Sequence, residues 1–149
     1  MPSFHTVKRV PHSPVQMFDL VADVEKYPQF VPLCESLRVR RRSQSGEGVE
    51  ILVADMSVGY KSIRETFTTR VTLDRARLRI DVEYIDGPFR FLENRWKFLK
   101  HGEDGCDVDF HIAYEFRNFA LGMLMGAMFD RAFRKFTTAF ETRAREVYG

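Results

Sequence analysis

The groups through which this chain of 149 residues could make or break bonds are few and scattered: four histidines, two cysteines and a carboxylate-rich stretch. His5 falls in a first strand, His12 in a turn, His101 in a hairpin loop and His111 in a last strand. Asp107, Asp109, His111 and Glu115 alternate with Phe110, Ile112 and Tyr114, so they share the solvated face of that strand and are not aimed at a common reacting atom. Cys34 has no histidine at nucleophile spacing and reads as a small hydrophobe. P-loop, Gly-x-Ser-x-Gly and His-Glu-x-x-His motifs do not occur in the sequence. The expectation is no catalytic residue, no metal ligand and no cofactor.

Binding is better provided for. The chain has 14 Phe, about twice average usage, with six Met and one Trp. Such an excess fills a core, or lines a site for a flat or greasy ligand. Gly122 and Gly126, four apart in Phe119–Phe129, each cost about 1 kcal/mol in a helix and open a groove on one face. Three Met within six residues supply adaptable lining there.

The elements that must position these side chains follow from periodicity. Ser3–Val10 reads as a strand, stopped by Pro11-His12-Ser13-Pro14, with Ser13 as helix N-cap and Pro14 at the first helical position. A short helix follows, then one or two helical turns interrupted by Pro28 and Pro32, acting as a lid or elbow. From Leu33 to Phe116 the period is two, with Val49, Ile51 and Val53 read as one face of a strand. Ser45–Gly48, Ser57–Gly59, Asp86–Pro88 and His101–Gly105 read as turns. Met125, Phe129, Ala132, Phe136 and Phe140 then mark an amphipathic helix from Phe119 to about Val147. The fold class is α+β: a curved seven-stranded antiparallel sheet, two short helices after strand 1, and one long C-terminal helix.

Length and charge bound the rest. The chain reads as one domain, 1–149. Lys+Arg 23 against Asp+Glu 21 leaves +2, too little to demand a nucleic acid or an acidic membrane as partner. The sequence begins without the apolar stretch of a signal peptide, and Phe119–Phe129 is far short of the about 20 residues that span a bilayer. A cytoplasmic location is expected, with peripheral contact on the inner face of the membrane. Arg38, Arg40, Arg41 and Arg42, with Lys61, Arg64, Arg70, Arg75, Arg77 and Arg79, form a basic sheet exterior open to solvent, anionic headgroups or rRNA phosphates.

The string Asp23-Val24-Glu25-Lys26-Tyr27-Pro28-Gln29-Phe30-Val31-Pro32-Leu33-Cys34, the Gly87-Pro88-Phe89 turn leading to Leu92 and Trp96, and the Met-rich last helix resemble the coenzyme Q-binding proteins. These stand beside the ribosome-association toxin family in the polyketide-cyclase branch of the START-like superfamily. The resemblance covers nearly the whole chain. It implies a helix-grip fold with a hydrophobic cavity between sheet and last helix, and non-catalytic binding of ubiquinone in support of respiration and ubiquinone biosynthesis. It also implies that Tyr27, Pro28, Phe30 and Pro32 form an elbow at the cavity mouth. Cyclases of the superfamily fold a reactive chain in such a cavity, which leaves a weaker enzymatic alternative. Periodicity supplies the candidate lining: Phe30, Leu33, Met56, Phe67, Leu92, Trp96, Phe110, Tyr114, Leu124, Met125 and Met128. Tyr114 or the Trp96 indole N–H is the expected donor to a quinone carbonyl. Phe89, Leu121, Met125 and Phe129 are expected to touch the membrane. The alternative is a ribosome-associated inhibitor of translation acting through the basic exterior.

Overall fold

The computed structural model describes residues 3–149. Strand β1 (Ser3–Val10) leads into helix α1 (Pro14–Ala22), whose start is fixed reciprocally. The Gln16 N–H donates to Ser13 Oγ at 3.1 Å, and the Ser13 N–H to Gln16 Oε1 at 2.9 Å. A 3-10 segment, Val24–Gln29, carries Pro28 inside it and forms the elbow. Six strands follow: β2 (Cys34–Gln44), β3 (Val49–Tyr60), β4 (Ile63–Asp74), β5 (Arg79–Asp86), β6 (Phe89–His101) and β7 (Gly105–Phe116). Helix α2 (Phe119–Tyr148) closes the chain and is about 45 Å long at 1.5 Å per residue.

All seven strands form one antiparallel sheet in the order β1-β7-β6-β5-β4-β3-β2. Each strand from β2 to β7 pairs with the next, and β1 returns to the far edge beside β7. One apolar core lies between the sheet and the helices, and Phe18, Leu52, Ile80, Phe89, Phe110 and Phe140 are almost fully buried in it.

Two readings of the strands are corrected. In β3 the inward face is Leu52, Ala54 and Val58, while Ile51 and Val53 are only half-buried. Both faces of that strand are apolar, so composition could not set the phase; pairing does, with Leu52 opposite the buried Val71. Ser57–Gly59 is strand, and the chain reverses at Lys61 and Ser62. At Gly59 the Glu35 carboxylate and the Arg64 side chain lie over the bare Cα, and both would have to shift to admit a Cβ.

Candidate functional site

Between the concave face of the sheet and α2 lies a cavity of about 90 Å³. Helix α2 gives it Phe129, Ala132, Phe133, Phe136 and Phe140. The middle strands contribute Ala54, Met56, Val58, Phe67, Thr69, Val71, Ile80, Val82, Leu92, Asn94, Trp96 and Ile112, and the elbow side contributes Val24, Tyr27, Pro32, Leu33 and Leu37. The helix phase puts every third or fourth residue of α2 on this wall, and the strand period adds every second residue below it.

The polar atoms of the lining are few and mostly committed. The Trp96 indole N–H donates to Asn94 Oδ1 at 2.9 Å, and the Asn94 amide donates to the His111 carbonyl at 2.9 Å. The Tyr27 hydroxyl donates to the Val21 carbonyl at 2.6 Å, and burial pushes its pKa well above the ordinary 10. Thr69 supplies a further hydroxyl. None of these groups ionises near neutral pH. The chemistry this lining offers is exclusion of water, stacking on aromatic rings and a hydrogen bond from a neutral donor.

Of the expected lining, Leu33, Met56, Phe67, Leu92 and Trp96 border the cavity, as do Tyr27 and Pro32 of the expected elbow. The remaining positions lie elsewhere. Phe30 packs edge-on against Tyr27 and Phe140, its outer side covered by the Arg143 guanidinium. Pro28 is exposed at the tip of the elbow. Phe110 is sealed behind Trp96, with ring centroids 4.6 Å apart. The Tyr114 hydroxyl turns to the Gly126 carbonyl at 3.5 Å, on the far side of Phe129 and Phe133, and burial pushes its pKa up to about 12. Met125 is buried without reaching the cavity, Met128 is half-buried outside it, and Leu124 is in solvent. The Trp96 N–H, an expected quinone donor, is already spent on Asn94.

The expected membrane contacts are also corrected. Phe89 is fully buried, stacked on Phe116 at 4.9 Å and edge-on to Phe67 at 5.4 Å. Its turn holds this position through Gly87, at φ 142°, where a Cβ would lie 2.6 Å from Phe67 Cβ. Met125 and Phe129 face the core and Leu121 is half-buried. The large apolar residues exposed in that helical stretch are Phe119, Met123 and Leu124.

The lining residues that sequence reasoning missed include Ile80, Phe133, Phe136, Phe140 and the polar pair Thr69 and Asn94. Phe136 and Phe140 stood in the helical stripe. Attention to the all-apolar first half of α2 drew the site about two turns too far toward its N-terminus.

On the outer face the arginines are largely neutralised. Arg40 lies 2.6 Å from Asp55, Arg64 2.7 Å from Glu35, Arg70 3.0 Å from Glu83 and Arg79 3.0 Å from Asp81, while Arg42 reaches round to Glu25 of the elbow and Arg75 to Asp19 of α1, each at 2.7 Å. Likewise Asp107 and Asp109 pair with Arg9 and His5 across the β1–β7 edge, at 3.0 and 2.7 Å. His12 is buried beside Tyr148, and neither ring nitrogen has a hydrogen-bond partner among the described residues. No helix among them is long and apolar enough to cross a membrane.

Residues 10–141 match the family described as "Polyketide cyclase / dehydrase and lipid transport". The ribosome association toxin RatA of Escherichia coli (strain K12) is 36% identical over 148 residues, which cover 99% of this chain and 90% of that protein. Coenzyme Q-binding protein COQ10 homolog B, mitochondrial, of Xenopus laevis is 29% identical over 138 residues, 90% of this chain and 54% of that protein. Among solved structures, an 18 kDa protein of Caulobacter crescentus shares 37% identity and a TM-score of 0.80, covering 100% of this chain and 99% of that one. The Zhui aromatase/cyclase of Streptomyces sp. R1128 has a TM-score of 0.77 at 16% identity, covering 97% of this chain and 93% of that one, a likeness of fold alone.

Proposed function

Because the chain belongs to the polyketide cyclase/START-like family, with relatives among both the ribosome association toxins and the coenzyme Q-binding proteins, we propose that its cavity binds ubiquinone or a similar isoprenoid lipid. On this reading the protein presents the lipid to respiratory or quinone-biosynthetic enzymes without turning it over. The observation that carries the proposal is the cavity itself, walled by Trp96, Phe67, Phe133, Phe136 and Phe140 and nearly free of polar atoms. A quinone ring stacks on such walls, and each buried CH₂ of an isoprenoid tail adds about 0.8 kcal/mol.

The ligand has to enlarge the space it enters. At about 90 Å³ the cavity is smaller than the about 150 Å³ that holds benzene in an engineered apolar cavity. The half-buried lining residues Pro32, Leu33, Leu37 and Met56 form the rim where it gives way. Leu33 sits there at φ 67°, a left-handed conformation costly for a residue with a Cβ, and its carbonyl accepts the Gly59 N–H at 3.0 Å. Rotation at this strained joint lifts the elbow from the helix and widens the mouth. Inside, the Thr69 hydroxyl is the donor for a ring carbonyl.

Trp96 is the single tryptophan and lines the cavity, so its fluorescence reports occupancy directly. Titration with a short-chain ubiquinone analogue is expected to give saturable quenching. Organic extraction of protein purified from its own host should release an isoprenoid quinone in stoichiometric amount, read by mass spectrometry. Thr69→Val is expected to weaken the analogue about two- to tenfold, the worth of one hydrogen bond. An empty extract together with linear, purely collisional quenching overturns the proposal and shifts the weight to the ribosomal reading.

A further inference from the structure

Phe119, Met123 and Leu124, on the first turns of α2, are 84%, 72% and 67% exposed. Ala120 and Ala127 lie open beside them, and a Cβ built on Gly126 would meet nothing within 4 Å. Large apolar side chains presented side by side on one helical face mark a contact surface rather than scattered exposure. The same exposed ridge changes character along its axis. Arg131 and Lys135 follow Leu124 by seven and eleven residues, hence about 10 and 16 Å farther along the helix. Both are exposed and neither makes an ion pair among the described residues, and Arg117 stands exposed and unpaired at the apolar tip. The two carboxylates nearby are answered by Arg90, 3.9 Å from Glu115, and Arg134, 3.0 Å from Asp130.

An interface for a folded protein is apolar at its centre with a polar rim. This face is graded in one direction, greasy tip first and uncompensated cations about 10 Å behind, which is the order of acyl chains and phosphates at a membrane surface. We propose that the N-terminal half of α2 docks on an anionic lipid bilayer. Phe119, Met123 and Leu124 enter the boundary between headgroups and acyl chains, Arg117 snorkels to the headgroups, and Arg131 and Lys135 meet the phosphates above. The proposal goes beyond the quinone reading and does not depend on it, since none of these side chains borders the cavity.

The test is flotation of the full chain with phosphatidylglycerol-rich and with pure phosphatidylcholine vesicles. The wild type is expected to float with the first and weakly with the second. The pair Met123→Asp and Leu124→Asp should lose about tenfold on both. The pair Arg131→Glu and Lys135→Glu should lose binding only to the anionic vesicles. All four positions are exposed, so an unchanged melting temperature certifies the fold. Retained Trp96 quenching in the variants separates loss of docking from failure of the cavity. Wild type left unfloated by anionic vesicles, or an Asp pair that floats like the wild type, overturns the proposal. So does sedimentation showing a wild-type dimer that the Asp pair dissolves, which would give this face to a second copy of the chain.

Discussion

Asp55 shows how single residues set the charge of the outer sheet face. The Thr68 hydroxyl donates to its carboxylate and the Arg40 guanidinium lies 2.6 Å away. Chiefly through the Thr68 bond, and then through Arg40, its pKa is held below the ordinary 3.8 although burial works the other way. A depressed carboxylate contributes stability that is complete above its unfolded value and is lost as pH falls through the lower folded one. Asp55→Asn should therefore melt below the wild type at neutral pH, and the gap should close as the pH drops under 3.8. A gap that stays constant with pH would mean that the ionised form contributes nothing. Burial pushes both thiols the other way, Cys34 and Cys106 each to about 11, which fits their role as small core hydrophobes.

At the scale of the element, the ends of helices and strands carry the testable energetics. Asn118 caps α2 by accepting from the Ala120 N–H at 2.8 Å and the Leu121 N–H at 3.3 Å. Asn118→Ala should cost about 1 kcal/mol in chemical denaturation, and a change of only a few tenths would remove it as the cap. Lys61 takes φ 56° in the two-residue β3–β4 turn, a place where glycine is at ease. Lys61→Gly is expected to gain about 0.5–1 kcal/mol, and a loss would show that its stacking over Tyr60 outweighs the strain. These ends were also where the sequence spoke most clearly. The Ser13 cap, the Pro14 start and the alternation of Cys106 through Phe116 were legible because one side chain type fits each position. In β3 and in Phe119–Phe129 apolar residues lie on both sides, so the identity of the element was legible while its rotation was not. That ambiguity of phase is why Met125 and Phe129 were expected at a membrane and Leu124 in a cavity. The Asn94–Trp96 bond was equally invisible, since it joins residues two apart on one strand face with nothing in their types to demand it.

For the whole molecule, sheet and helix divide the labour. The concave side holds neutral apolar space, and the convex side holds a lattice of arginine–carboxylate pairs that leaves the formal charge at +2. Quinone quenching should then be indifferent to a salt titration, whereas association with ribosomes through that lattice would fall steeply as salt rises. A quinone midpoint that shifts with salt would place charge in the site. The strand order has a consequence of another kind, for synthesis. Ser3 pairs with Ala113, so β1 leaves the ribosome 110 residues before its strand partner. At about 5–20 residues per second this strand waits of the order of 5–20 s with its edge unsatisfied. The sheet cannot close vectorially behind the growing chain, and α2, which follows β7, arrives only after that wait. A nascent chain stalled before β7 thus carries β1 with an unpaired edge and the inner sheet face uncovered by α2.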